Sequence, residues 1–336
     1  MARALRKLKK LFQSPLAYLI DSRHAFLSDL GRSLLERERQ RLMTFGHTCA
    51  DDKVTVIMTA YNTGPHIEKA VRSVMAQSHA NLTLMVIDDA STDETPQILA
   101  KLRQEFAGRM RVFQSPVNHG TYWSKNWCMR HADGEFIAFH DSDDTSHPDR
   151  ILLQMAAIKS RPHRMATTVQ WRRVFEDGRT ALIGGREFRM AAISLMIRRE
   201  PVLRDMGYFD SVRISADSEY LGRLQALYGP RGLYAMQHWL YTGLLRDSSL
   251  TRETGSGMSW RQQERSDDKI DYAIETSGDR QAYMQSAKAW HARISQGDRG
   301  KGAHIPFPQT GRHLYASENL CRGCDDQAID QIVEIT

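Results

Sequence analysis

The apolar positions of the first 150 residues alternate between two patterns. Val54-Thr55-Val56-Ile57-Met58-Thr59-Ala60 is a short β-branched run of the kind that forms a buried parallel strand. It stops at Tyr61-Asn62-Thr63-Gly64-Pro65, a turn that sets proline at the first position of a helix. In that helix Ile67, Ala70, Val71, Val74 and Met75 keep the spacing of one buried face. A second strand over Leu82–Asp88 runs into Asp89-Ala90-Ser91-Thr92-Asp93-Glu94-Thr95, where Ser91 or Thr92 can cap a helix reaching about Phe106. A third strand near Met110–Gln114, a helix near Thr121–His131 and a fourth strand over Glu135–His140 continue the alternation. Such β-α-β-α-β order predicts an α/β fold with a mainly parallel sheet flanked by helices.

Beyond residue 150 the order changes. The pattern predicts a helix near Asp149–Ser160, strands near Ala166–Phe175 and Arg179–Ile183 around an Asp177-Gly178 turn, and an apolar strand over Ala191–Ile197. A helix follows from about Asp217 to Leu227, buried through Tyr220, Leu221, Leu224 and Leu227. Residues 252–336 are polar, read as helix-prone to about Ile294, and then turn rich in Gly, His and Pro. The N-terminal residues read as helical, with Leu5, Leu8, Leu11 and Phe12 on one side and a break at Pro15. Three regions are expected: a basic helical arm over 1–50, a catalytic domain over 51–251, and a partly helical, partly irregular C-terminal extension over 252–336.

Charge sharpens this division. The chain has 336 residues and a net charge of +6, but residues 1–45 hold ten Lys/Arg against four Asp/Glu, leaving 36 of each sign elsewhere. Basic residues beside an apolar stripe could lie on an anionic membrane surface; the plainer reading is a solvated helix packed on the body. A positive field confined to an arm argues against nucleic acid as a partner. No apolar stretch approaches the roughly 18 residues of a membrane span, so a cytoplasmic protein is expected, with a peripheral seat on the inner face of the cell membrane as a variant. Four scattered cysteines do not make a disulfide framework. Cys321 and Cys324 could bind zinc with His304 or His313, although the spacing does not spell out a four-ligand site.

The candidate chemistry lies at the strand ends, where ligands of an open α/β sheet bind. Strand one ends in Tyr61-Asn62, strand two in Asp88-Asp89, strand three in Asn118-His119-Gly120 and strand four in Asp141-Ser142-Asp143-Asp144. Crowded carboxylates raise one another's pKa unless a cation intervenes. Mg²⁺ or Mn²⁺ suits Asp141 and Asp143, because such ions take oxygen ligands and leave positions for substrate phosphates. The same acids also suit a helix N-terminus before Pro148.

Together these segments resemble the family 2 glycosyltransferases. The resemblance rests on Thr59-Ala60-Tyr61-Asn62, Ile87-Asp88-Asp89-Ala90-Ser91-Thr92-Asp93, Asn118-x-Gly120, Asn126, Ala132-Asp133-Gly134-Glu135 and Asp141-Ser142-Asp143-Asp144 with Pro148. It continues less sharply through Gly207-Tyr208-Phe209-Asp210 and Ala216-Asp217-Ser218-Glu219-Tyr220-Leu221, and fades after about Thr251. It implies a GT-A, Rossmann-like fold and transfer of a sugar, with inversion, from a nucleotide-diphosphate donor to a glycan or lipid-linked acceptor in bacterial surface polysaccharide assembly. By the same resemblance Thr59, Ala60, Tyr61, Asn62 and Asp89 hold base and ribose, Asp88 supports the turn, and Asn118, Gly120, Asn126 and Ser142 belong to the nucleotide-sugar site. Asp141 faces ribose or metal, Asp143 binds the Mn²⁺ or Mg²⁺, and Asp217 is the catalytic base, with Glu219 a rival and an N-cap role the structural alternative. Arg246 sits where relatives carry a basic loop over the diphosphate. His238 is a candidate extra metal ligand, and His140 is either a packed strand residue or a support for the acidic run.

Two other function classes fit parts of the pattern. A sugar nucleotidyltransferase would want a Gly-rich phosphate loop after strand one, which Tyr61–Pro65 does not supply. A non-catalytic membrane-surface adaptor would keep the sheet as scaffold and act through the arm.

Overall fold

The computed structural model of the chain describes residues 14–22, 24–246, 257–297, 301–326 and 328–335. The proposed apolar stripe Leu5, Leu8, Leu11, Phe12 and the segment 247–251 after Arg246 lie outside them.

Helices α1 (Pro15–Ile20) and α2 (Ala25–His47) form the arm, and Pro15 begins a helix because its fixed φ suits the first turn. Then come β1 (Val54–Ala60), α3 (Gly64–Met75), β2 (Leu82–Asp89), α4 (Thr95–Glu105), β3 (Met110–Ser115), α5 (Thr121–His131) and β4 (Phe136–Asp141). Every position of β1 is buried, as a strand covered on both faces requires. The five apolar residues assigned to the face of α3 are all buried. β1 pairs in parallel with β2 and β4, and β2 with β3, giving the order β3-β2-β1-β4. Their carboxyl ends therefore share one edge.

The second half adds β5 (Thr145–Ser146), α6 (Arg150–Lys159), β6 (Ala166–Val174), β7 (Thr180–Ile183), β8 (Phe188–Met190), β9 (Met196–Arg198), α7 (Arg199–Met206), α8 (Ala216–Tyr228) and β10 (Leu233–Leu244). Here the sheet turns mixed: β9 runs antiparallel to β4 and β6, while β10 lies parallel to β6. The single strand expected over Ala191–Ile197 is instead a 3-10 turn, Ala192–Ser194, followed by β9. Buried Ser194 explains the break, since its hydroxyl donates to Ala191 O at 2.7 Å and accepts from Val169 N at 2.9 Å.

The helix expected after residue 252 gives way to a hairpin, β11 (Met258–Arg265) and β12 (Lys269–Thr276), before α9 (Gly278–Ser295), α10 (Glu318–Cys321) and β13 (Val333–Glu334). β12 pairs with β7, β13 pairs with β3, and α9 packs on α8, so the extension contributes to the same sheet and core. Among the described residues no helix is long and apolar enough to cross a membrane.

Candidate active site

Two strand ends lock each other. Asn62 and Ala90 both take positive φ, 50° and 64°, a conformation that costs a non-glycine residue on the order of 1–3 kcal/mol and is kept only where surroundings enforce it. Here Asn62 N donates to Ser91 Oγ at 2.9 Å and Thr92 N donates to Asn62 Oδ1 at 2.8 Å. Tyr61 stands beside this knot half exposed, Ala60 is buried, and Thr59 Oγ1 meets Thr121 Oγ1 at 2.8 Å.

Asp89, expected at base and ribose, has both carboxylate oxygens engaged by protein groups. Its Oδ1 accepts from His119 N (3.0 Å) and Ser124 Oγ (2.9 Å), and its Oδ2 from Gly120 N (2.8 Å), with the side chain buried. It fixes the entry to α5, where Gly120 takes φ 88° and caps the helix. Asp88, assigned to support of the turn, is the carboxylate left open: Oδ1 accepts from Ser91 N at 3.3 Å, while buried Oδ2 has no partner among the described residues. Burial raises the pKa of both acids.

Asn118 and Asn126 are likewise engaged by protein. Asn118 O accepts from Arg213 Nη2 at 3.0 Å, and Arg213 Nε reaches Arg322 O at 2.8 Å, which clamps the strand-three loop to the C-terminal extension. Asn126, expected at the donor, is fully buried and bonds both the N and O of Phe209 at 2.9 Å.

The acidic run is built on hidden cations. Lys125, on α5 and almost fully buried, places Nζ 3.2 Å from Asp141 Oδ1. Arg150 is fully buried and donates to Gln154 Oε1 (2.9 Å), Ser146 Oγ (3.0 Å) and Phe139 O (2.6 Å). Burial lowers its pKa to about 10, which leaves it cationic beneath Asp141 and Asp144. Its guanidinium lies 5.0 Å from the Tyr241 ring centroid, and Tyr241 OH accepts from Asp141 N at 3.1 Å. His140 is packed against Tyr241, and burial pushes its pKa down to about 3. The ring is neutral, and because Asp141 O accepts at 2.7 Å, Nδ1 carries the proton. Sequence spacing did not mark Lys125, Arg150 or Tyr241, since each reaches the run from another element.

Ser142 is buried, and Asp144 is buried with Oδ1 accepting from Leu244 N at 2.7 Å. Asp141 remains 40% exposed, and Asp143 is joined to Arg246 Nη2 at 2.8 Å. Burial first, and the Asp141 charge second, raise the pKa of Asp143. The pair thus presents hard oxygens under mutual repulsion, as an oxygen-seeking divalent cation requires. No group of three or more His, Cys, Asp or Glu among the described residues forms an all-protein metal cage; two carboxylates with room for phosphate oxygens is the remaining fit. His238 does not join them: its Nε2 faces Glu38 Oε2 of α2 at 3.4 Å. The zinc expectation for Cys321 and Cys324 finds no such group either, and His313 bonds His304 O at 3.1 Å.

Asp217 lies in the first turn of α8, whose N-cap is Ser215, so it is not the cap residue. Burial first, and the charges of Asp217 and Asp141 after it, hold the phenol of Tyr122 on α5 well above the usual range. Glu219, the rival base, is fully buried between Arg223 Nε (3.0 Å) and His291 Nε2 (3.1 Å); no acceptor hydroxyl reaches it. A cleft lined by Asn62, Pro65, His66, Asp93, Glu94, Glu176 and Arg246 runs from the strand-one turn to Arg246, the partner of Asp143.

Residues 55–209 match the model of the family described as Glycosyl transferase family 2. Over 111 residues the chain is 36% identical to the Bacillus subtilis protein named "Putative glycosyltransferase EpsE", covering 33% of this chain and 40% of that one. It is 34% identical over 108 residues to the B. subtilis "Putative teichuronic acid biosynthesis glycosyltransferase TuaG", covering 32% and 42%. Identity is 36% over 98 residues to the succinoglycan biosynthesis protein ExoO of Rhizobium meliloti, covering 29% and 27%. The chain thus spans less than half the length of these relatives.

Proposed function

We propose that this chain, which belongs to glycosyltransferase family 2 through its residues 55–209, transfers a sugar from a nucleoside diphosphate donor to a hydroxyl of a glycan or lipid-linked acceptor, with inversion. The observation that carries this reading is the acidic run at the carboxyl end of β4, where Asp141 meets Lys125 Nζ at 3.2 Å and Lys125 in turn lies 5.5 Å from the ring centroid of Tyr122, whose phenol feels the charges of both Asp217 and Asp141. The acceptor hydroxyl loses its proton to the Asp217 carboxylate as its oxygen bonds the anomeric carbon, and the bonding pair to the diphosphate oxygen departs with the diphosphate. Attack from the Asp217 side, opposite the leaving group, inverts the centre.

Asp143 and Asp141 would hold Mn²⁺ or Mg²⁺, which when bound offsets the charge growing on the diphosphate. Arg246 has the fork geometry to engage phosphate oxygens once it leaves Asp143. The open Oδ2 of Asp88 suits an N–H of the base, and Tyr61 suits its face. Relatives named for teichuronic acid and succinoglycan biosynthesis support an acceptor in bacterial surface polysaccharide assembly.

The test is a thermal-shift screen of UDP-, GDP-, CMP- and TDP-sugars with and without Mn²⁺, followed by mass spectrometry of donor and acceptor products. At least one donor should raise the midpoint, more with metal than without, because ligand binding shifts unfolding by mass action. No shift and no nucleoside diphosphate released with any donor would end this reading.

A further inference from the structure

Helix α2 has two sides with different surroundings. Towards the body, Leu42 and Gly46 are buried and Arg39 Nη2 bonds Asp149 Oδ2 at 2.8 Å. Near its start, buried Ser28 and Gly31 face α1, with Ser28 Oγ donating to Ile20 O at 3.3 Å. The outer side carries Phe26, Leu30, Leu34 and Phe45, exposed by 69, 40, 39 and 36%. At about 100° per residue, Phe26, Leu30 and Leu34 advance only some 40° per step, and exposed Arg37 and Arg41 fall angularly between them. Asp29, Ser33, Glu36 and Gln40 occupy the adjoining exposed strip, so acids and apolar groups are segregated along the helix.

We propose that this stripe seats the chain on an anionic lipid bilayer, with α2 lying in the plane of the headgroups. Four apolar side chains over about 28 Å of helix, flanked by arginines whose stems bury while their heads stay wet, match an interfacial helix. Charge complementarity selects lipid over a second copy of the chain. The whole excess of +6 belongs to residues 1–45, and pairing two copies through this face would set Arg37 and Arg41 against their own kind. The Arg39–Asp149 ion pair and the contact of Glu38 with His238 tie α2 to α6 and β10, so a bilayer on the outer face stands at a fixed orientation to the acidic run. The inference does not depend on the transfer reaction.

The test is co-sedimentation of the full chain with vesicles of phosphatidylcholine alone or with about one third phosphatidylglycerol, at low and moderate salt. The wild-type chain should pellet with the anionic vesicles only, and less so as salt rises. Phe26→Ser with Leu30→Ser and Leu34→Ser should abolish pelleting, and Arg37→Gln with Arg41→Gln should lower the partition coefficient by about thirtyfold. Both variants should keep the wild-type melting midpoint, since the changed side chains are exposed. Three results would each overturn the proposal: wild type that ignores anionic vesicles, a triple variant that still pellets, or a wild-type dimer that the triple variant converts to monomer without lipid.

Discussion

Arg246 closes on one oxygen of Asp143, with Nε at 2.9 Å and Nη2 at 2.8 Å from Oδ2. The guanidinium already neutralises that carboxylate, so it would compete with a divalent cation proposed there. Arg246→Gln should therefore bind Mn²⁺ alone more tightly than the wild type, by about tenfold for a loss of ~1.4 kcal/mol of competing ion pair. The same variant should bind nucleoside diphosphate more weakly in the presence of Mn²⁺. Isothermal titration of Mn²⁺ with and without nucleotide reads both effects; weaker binding of Mn²⁺ alone would refute the competition.

The two candidate bases separate cleanly by readout. Asp217→Asn should lower kcat by about 10² to 10⁴ with little change in KM or melting midpoint. Glu219→Ala strands Arg223 in a fully buried site and should cost about 3–5 kcal/mol of stability in denaturant unfolding. Equal stability of the two variants would contradict this assignment.

Asp88 gives a pH signature. Burial raises its folded pKa above the ordinary 3.8, so its contribution to stability is fully present below that value and is lost as pH rises through the raised one. Asp88→Asn should accordingly melt higher than wild type at pH 8, with the gain shrinking towards acid and vanishing by about pH 4. Donor affinity should fall at the same time, because an amide cannot supply the open Oδ2 acceptor in both orientations. Calorimetry across pH checks the first effect and donor titration the second.

Asn126→Ala should destabilise by about 1–3 kcal/mol, since it leaves the buried N and O of Phe209 without partners. Donor affinity of the folded variant should stay within a few-fold of wild type. A selective loss of donor binding at unchanged stability would restore Asn126 to the nucleotide site.

What the chain's pattern discloses depends on how local the cause is. β1 and α5 fall at the residues expected because a β-branched run and a Gly-led helix state their own limits. The acidic run is legible because four polar residues directly after an apolar strand are unusual. Lys125 and Arg150 are not, because their value lies in reaching Asp141 and Phe139 O from different helices. The distinction between Asp88 and Asp89 depends on where His119, Gly120 and Ser124 fold, which two adjacent aspartates cannot announce. β11 was missed because Ser259-Trp260-Arg261-Gln262-Gln263-Glu264-Arg265 is mostly polar and exposed, so its alternation is faint against a helix-like composition.

β13 covers the outer edge of β3, held by Arg111 Nη2 to Glu334 Oε2 at 2.8 Å across 223 residues of chain. During translation β3 emerges long before its cover. At about 5–20 residues per second the bare edge would persist for roughly 10–45 s, a window in which neighbouring nascent chains on one messenger could pair through it. Yield of the protein in a cell should therefore respond to elongation speed and chaperone supply more than its finished stability would suggest.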